Sequence, residues 1–307
     1  MARRLCRRGR PPWRGLGSAV AGLAGLAFLA APALAGAAGA AALPRVASAS
    51  VCADQYVLAL ADPEQIVSVT ERAAGPLSFY AERAQGLPTN RRALEEFLVL
   101  DVDVVVLDTH DVPQLRRTLP RFGVSVVDLA TSAAHFDAVY DEIAKVARAV
   151  GQPARGEALV ADIRQRLAVL RDRAAQAVGS DRRRLVSYFR PDGGGAGRGT
   201  FVHTVLDAAG FENLQARLGF DGWGGIPMEQ LVLTPPEAGV TSFFDLRPNA
   251  VGNRFGSHPF YRHLARNDAL VPIPGRLWPC AGPMLIDAAE ALFEARDRYT
   301  PLEEARP

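Results

Sequence analysis

The chain is poor in the residues from which most catalytic and metal sites are built. It has three cysteines and five histidines in 307 residues. It contains no Cys-x-x-Cys, no His-Glu-x-x-His and no Gly-x-Ser-x-Gly, which removes the thiol-redox motif, the zinc-protease helix and the hydrolase nucleophile elbow. His110, His135, His203, His258 and His263 are scattered, and the closest two, in Ser257-His258-Pro259-Phe260-Tyr261-Arg262-His263, lack the Cys-x-x-Cys partner that would complete a zinc site. Cys52 and His110 could form a thiol–imidazole pair, but no third group is identified to orient it. The glycine-rich stretch Pro191–Gly199 lacks the Gly-Lys-Ser/Thr ending and the dinucleotide spacing, so it reads as a surface or ligand-rim loop. No catalytic residue and no intrinsic metal site is expected.

Charge is also missing where it matters. Residues 1–14 contain Arg3, Arg4, Arg7, Arg8, Arg10 and Arg14 and no acid, and Gly15 to Leu43 carries no charge. Ala31-Pro32-Ala33-Leu34-Ala35-Gly36 then supplies Ala-x-Ala sites. This basic, apolar, small-residue order predicts a secretory signal over residues 1–36. About 20 apolar residues could also span a bilayer, but Ala and Gly dominate the stretch and Pro32 interrupts it. No later segment is long and apolar enough to span, and no lipid-attachment cysteine pattern is visible. Without the six arginines, the formal charge falls from +2 to about −4. That balance excludes a nucleic-acid surface, which should be basic. Cys6 leaves with the signal. Cys52 and Cys280 remain as an even pair in an oxidising compartment, compatible either with a disulfide or with two free buried thiols.

What the chain does have is one pattern twice, 134 residues apart. The first copy is Leu94-Glu95-Glu96-Phe97-Leu98-Val99-Leu100-Asp101-Val102-Asp103-Val104-Val105-Val106, and the second runs from Met228-Glu229-Gln230-Leu231 through Pro235-Pro236-Glu237 to Val240. Each copy sets a glutamate at the start of a short helix, then an apolar turn and a break. An acid follows eight positions after the glutamate, and then a run toward a strand. Such a repeat predicts two similarly built lobes, with Glu95 and Glu229 in matching positions. An exposed carboxylate at a helix start is oriented by the helix dipole.

Short strands alternating with helices predict α/β lobes with mainly parallel sheets. The strands are expected near Val46–Ser50, Ile66–Val69, Val104–Leu107, Val124–Val127, Arg184–Phe189 and Leu270–Pro274, and the final helix from about Gly282 to Arg296. Phe136, Val139, Ile143, Val146 and Val150 mark one amphipathic helix. After Gly151-Gln152-Pro153, residues 154–178 continue as a helix about 36 Å long, which suits a rigid spine. The expected organisation is a lobe over 44–132, a helical segment over 133–180, a lobe with the final helix over 181–292, and a polar tail over 293–307.

With these features in hand, the chain resembles the substrate-binding proteins of ABC importers for iron–siderophore complexes, haem and corrinoids. The resemblance rests on Arg45-Val46-Ala47-Ser48-Ala49-Ser50-Val51-Cys52-Ala53-Asp54-Gln55, the Leu94-Glu95 unit ahead of Asp103-Val104-Val105-Val106, Gly199-Thr200, Ala209-Gly210-Phe211-Glu212-Asn213, Met228-Glu229-Gln230-Leu231, and Leu277-Trp278-Pro279-Cys280-Ala281-Gly282-Pro283. Val102 departs from it, standing where the pattern usually has proline. The resemblance implies two Rossmann-like lobes joined by a long α-helix, the class III periplasmic-binding-protein fold. It further implies a monomeric, non-catalytic periplasmic receptor that delivers a small-molecule metal chelate to an ABC importer permease. In that family one glutamate on each lobe docks on the permease; these positions fall on Glu95 and Glu229. A receptor for bare zinc or manganese is the alternative within the superfamily, and a non-catalytic scaffold is the alternative outside it. Cys52 and Cys280 would both lie near the lobe boundary.

Ligand contacts in such proteins concentrate at the carboxyl ends of strands. That rule selects Cys52 after the first strand, Thr70, Glu71 and Arg72 after the second, and Asp108, Thr109 and His110 after the valine strand, with His110 the candidate axial ligand to a bound metal. It also selects Tyr188 and Arg190 in the second lobe. Tyr80, Trp223 and Trp278 are the expected aromatic lining, suited to a large, partly apolar, anionic chelate.

Overall fold

The computed structural model describes residues 42–109, 112–132, 134–179, 183–244, 255–296 and 298. The expected signal, His110 and most of the expected polar tail lie outside these residues. β1 (Val46–Ser48), β2 (Ile66–Thr70), β3 (Thr89–Asn90), β4 (Val104–Asp108) and β5 (Ser125–Leu129) form a parallel sheet in the order β3-β2-β1-β4-β5. The crossovers carry α1 (Val51–Leu60), α2 (Leu94–Val99) and α3 (Pro113–Thr118). The β-branched run Val104–Leu107 is buried on both faces. Val104 and Val106 join the apolar cluster that includes α1, while Val105 and Leu107 pack with Phe97, Leu115 and Leu119. This is the period-two alternation of a strand covered from both sides.

The chain then enters α4 (Phe136–Ala149) and α5 (Pro153–Val178), and builds a second parallel sheet. Its elements are β6 (Arg184–Phe189), α6 (Phe201–Ala208), β8 (Phe211–Asn213), α7 (Leu214–Arg217), α8 (Met228–Leu233), β10 (Ala238–Thr241), α9 (Pro259–Arg266), β11 (Leu270–Pro272) and α10 (Leu285–Ala295). A two-stranded ribbon of β7 (Gly195–Ala196) and β9 (Trp223–Gly224) flanks it. The second sheet's order, β8-β6-β10-β11, repeats the β2-β1-β4-β5 part of the first. The sequence repeat therefore maps onto topology: α2 precedes β4, and α8 precedes β10.

The repeated acid has a structural task in both copies. Asp103 Oδ2 accepts from the amide of Arg45 at 2.7 Å, just before β1, and Glu237 Oε1 accepts from the amide of Leu185 at 2.9 Å, in β6. Each carboxylate thus satisfies a backbone donor at the start of the neighbouring strand and sets its register.

The expected spine is α5, 26 residues long and so about 39 Å. It begins at Pro153, where proline's missing N–H costs nothing. Ile163, Leu167, Leu170 and Ala174 form its buried stripe, each large side chain contributing about 1.5–3 kcal/mol. Arg155 on its first turn donates to Leu60 O at 2.7 Å and pairs with Asp62. Arg166 at its middle grips Asp287 and Glu290 of α10 at 2.8 and 2.5 Å.

Two local expectations differ from what is seen. The final helix starts at Leu285, because Gly282 and Pro283 belong to a turn ahead of it. The glycine-rich stretch is also not simply a rim loop, since Gly195 and Ala196 form a strand. A Cβ on Gly195 would lie 2.3 Å from Gln215 Oε1, and one on Gly197 would lie 2.2 Å from Phe220 O. These glycines let backbone pack against its neighbours.

The tightest helix contact is Gly156 against α4, where an added Cβ would stand 2.4 Å from the Ala147 Cβ. Gly156→Leu should lower the unfolding free energy by about 1–3 kcal/mol through overpacking, measured by denaturant titration. Unchanged stability would mean that α4 and α5 are not packed this closely.

Candidate functional site

Four consecutive strand ends of the first sheet meet at one cavity of about 560 Å³. β1 delivers Ser50, Val51 and Cys52, β2 delivers Thr70, Glu71 and Arg72, β3 delivers Asn90, Arg91 and Arg92, and β4 delivers Asp108. The parallel sheet makes this convergence unavoidable, because all its carboxyl ends lie on one side.

The floor is a buried hydrogen-bond network. Ser50 caps α1 by accepting from the Ala53 amide at 3.0 Å. Asp54, fully buried one turn further on, accepts from Ser48 Oγ, from the Thr70 amide at 3.0 Å and from Thr70 Oγ1 at 2.5 Å. Burial pushes its carboxyl above the usual range, although the Ser48 and Thr70 donors oppose the shift. The Thr70 hydroxyl in turn accepts from the Arg72 amide at 3.2 Å.

Asn90 braces the other wall. Its amide group donates to Ser48 O at 3.0 Å and Ser68 Oγ at 2.9 Å, and its oxygen accepts from the Arg92 amide at 3.2 Å. Arg92 sits at φ 67°, a left-handed conformation that a non-glycine residue keeps only when its surroundings impose it. Glu96 accepts from the amides of Arg91 and Ala93 at 2.8 and 3.1 Å and closes the corner. The outcome is a cavity edge carrying three guanidinium groups. Arg91 pairs with Glu71 at 3.1 Å in the open, whereas Arg72 is exposed and makes no ion pair among the described residues.

Of the residues expected from sequence, Cys52, Thr70, Glu71, Arg72 and Asp108 line this cavity. The aromatic residues are not among its lining. Trp278 is buried, its ring 5.3 Å from that of Tyr188, and its indole N–H donates to Ser242 Oγ. Burial pushes the Tyr188 hydroxyl up, and the nearby Ser242 hydroxyl opposes the shift. Tyr80 is half-buried beneath Arg83, 4.8 Å from its ring, with its hydroxyl raised by burial to about 12. Trp223 is 44% exposed, edge-on to Phe201. Arg190 is exposed at the end of β6, 3.9 Å from Asp192 and over the Phe243 ring. Glu95 and Glu229 are both exposed, at the second position of α2 and α8.

Sequence reasoning missed Asn90, Arg91 and Arg92, because a two-residue strand has no readable periodicity. The available signal was Asn-Arg-Arg directly ahead of the repeated Leu-Glu unit. Asp54 was also missed; the signal there was a single acid inside an otherwise apolar helix.

Residues 46–263 match the family described as periplasmic binding protein. No curated protein sequence matches the chain. Among solved structures it is similar to a periplasmic haem-binding protein from Pseudomonas aeruginosa, at 26% identity and TM-score 0.67, covering 85% of this chain and 96% of that one. The apo haem-binding protein RhuT from Roseiflexus sp. RS-1 aligns at 24% identity and TM-score 0.64, over 83% and 99% of the two chains. The vitamin B12-binding protein BtuF of Vibrio cholerae aligns at 19% identity and TM-score 0.61, over 82% and 96%.

The Asp54 network can be tested without ligand. Asp54→Ala strands three buried donors and should cost on the order of 3 kcal/mol in denaturant unfolding. Asp54→Asn should cost less, and its deficit should shrink as pH rises from 4 to 7. The reason is that an acid whose folded value is raised stabilises the fold least once it is ionised, a penalty the amide avoids. A deficit that grows with pH would contradict the burial-raised carboxyl.

Proposed function

This chain belongs to the periplasmic binding protein family, and we propose that it captures an anionic ferric chelate of siderophore type beside Arg72, Arg91 and Arg92 and passes it to an ABC importer permease. Membership of the family makes it a periplasmic, non-catalytic binder. Export through residues 1–36 as a cleaved signal is part of the proposal.

The observation that carries the ligand class is the arginine-edged cavity. Guanidinium forks bind carboxylate and catecholate oxygens in pairs, each charge-assisted bond being about twice as strong as a neutral one. Among the described residues no group of three or more His, Cys, Asp or Glu side chains could hold a metal ion. In this reading the metal is cargo, held by its own chelator. The structural relatives named for haem and vitamin B12 share this architecture. A cavity lined by arginine, threonine and asparagine rather than by aromatic rings favours the oxygen-rich member of that range.

Delivery is assigned to Glu95 and Glu229. The internal repeat places them at equivalent points, each on a short helix ahead of an inner strand. Val99 stands four residues after Glu95 and Leu233 four after Glu229, which puts each apolar side chain on the same helix face as the carboxylate. Val99 at 84%, and Val232 and Leu233 at 75%, are the most exposed large hydrophobic side chains among the described residues. Apolar groups left in solvent beside an acid suit a protein partner that supplies cations and apolar contacts.

Calorimetric titration with ferric catecholate, carboxylate and hydroxamate chelates, haem and cobalamin tests the ligand class. An anionic ferric chelate should bind with micromolar or tighter affinity, and Arg72→Ala with Arg91→Ala should weaken it by about 10–100-fold. Exclusive binding of haem or cobalamin, or indifference to the two substitutions, would contradict the reading. For docking, the Glu95→Ala, Glu229→Ala double variant should bind normally but fail to support import; normal import would remove these residues from the interface.

A further inference from the structure

Cys52 and Cys280 are 228 positions apart in the chain, yet the fold brings the segment carrying Cys280 against the helix carrying Cys52. Cys52 and Tyr56 share one face of α1, a turn apart. The Tyr56 hydroxyl donates to Ala281 O at 3.1 Å, and a Cβ on Gly282 would lie 3.6 Å from the Tyr56 ring. The Ala281 amide donates to Thr131 O at 2.9 Å. The segment 280–282 is thereby laid along the first lobe, and it leads directly into α10, which Arg166 ties to α5.

We infer that Cys52 and Cys280 are the two halves of a disulfide that closes across the floor of the cleft and staples the segment leading into α10 to the first turn of α1. The inference rests on the periplasmic location that family membership gives, and not on the identity of the ligand. In an oxidising compartment, two thiols carried on apposed segments are placed for disulfide formation. The two are unequal partners. Cys52 is half-buried and lines the cavity, so it is the one that an oxidant reaches; Cys280 is buried, and burial together with the nearby Cys52 pushes its thiol well up.

The chemistry is thiol–disulfide exchange with a disulfide-bearing oxidant such as oxidised glutathione. Cys52 Sγ attacks one sulfur of the oxidant, forming a mixed disulfide and releasing one thiol. Cys280 Sγ then attacks Cys52 Sγ, forming the protein disulfide and releasing the second thiol. Two protein thiols are oxidised by two electrons, the oxidant's disulfide is reduced, and the two thiol protons leave on the released thiols. The closed bond withdraws a thiol from the cavity wall and fixes the register between Tyr56 and Ala281. It also ties off a loop of more than two hundred residues, so its effect on the unfolded chain is large.

The test uses the reduced full chain, exposed to oxidised glutathione and then alkylated. Peptide mapping should find Cys52 linked to Cys280, with Cys6 still open to alkylation, and the melting temperature should rise by about 5–15 °C. Cys52→Ser and Cys280→Ser should each abolish both effects; Cys52→Ser, at the less buried position, serves alone if the other variant does not fold. Alkylated or glutathione-capped Cys52 and Cys280, or a link from either to Cys6, would overturn the inference. No ligand enters the assay, so its failure leaves the receptor reading standing, and failure of chelate binding leaves the staple standing.

Discussion

The anchoring of α5 along its whole length is the constraint on which the rest of the molecule depends. Its first turn is held to the end of α1 by Arg155, and Gln152, just before it, donates to Asp62 Oδ2 at 2.7 Å. Its middle is held to α10 by Arg166, and Arg296 donates to Ala177 O at 3.0 Å near its last turn. A helix within a folded protein gains most of its stability from such tertiary contacts rather than from propensity. Because both sheets are referred to the same rigid rod, their geometry is set by side chains that grip it, and wide hinge motion would have to break several of those grips at once.

The cleft inherits its chemistry from that arrangement. Parallel sheets place every strand's carboxyl end on one side, and the first sheet spends those ends on polar and cationic residues. The buried pair Asp54 and Asn90 supports the loops that line the cavity. Each uses a fully satisfied hydrogen-bond set to hold a loop above it: Thr70–Arg72 in one case, Arg91–Arg92 in the other. The left-handed backbone of Arg92 is the local cost of the sharp corner between β3 and α2. Burying a carboxylate to hold a threonine is expensive unless its acceptors are all occupied, and here they are.

The fold was readable in the sequence to the extent that it is periodic or repeated. The valine run of β4, the amphipathic α4 and the long α5 each carry enough residues for their spacing to identify them. The duplicated glutamate unit foretold two sheets of like order. It did not foretell that the acid eight positions on satisfies a strand amide, since Asp103–Arg45 and Glu237–Leu185 are contacts across 58 and 52 residues. The glycine-rich stretch looked like a loop because close backbone packing leaves no mark on composition. The site was half legible. Thr70, Arg72 and Cys52 follow from the rule of strand ends, whereas β3 is too short to announce Asn90–Arg92. Trp278 and Tyr188 looked like a ligand platform, and the structure packs them against each other over Ser242; an aromatic beside glycine and proline has the same sequence signature in a core as at a rim.

Recognition of the cargo through the arginine-edged end of the first sheet is decided by a crystal structure with the tightest-binding ferric chelate. The chelate's acidic oxygens should lie within hydrogen-bond distance of Arg72 and of Arg91 or Arg92, above the Thr70–Asp54 floor. A chelate seated elsewhere, with those guanidinium groups turned to solvent, would contradict it.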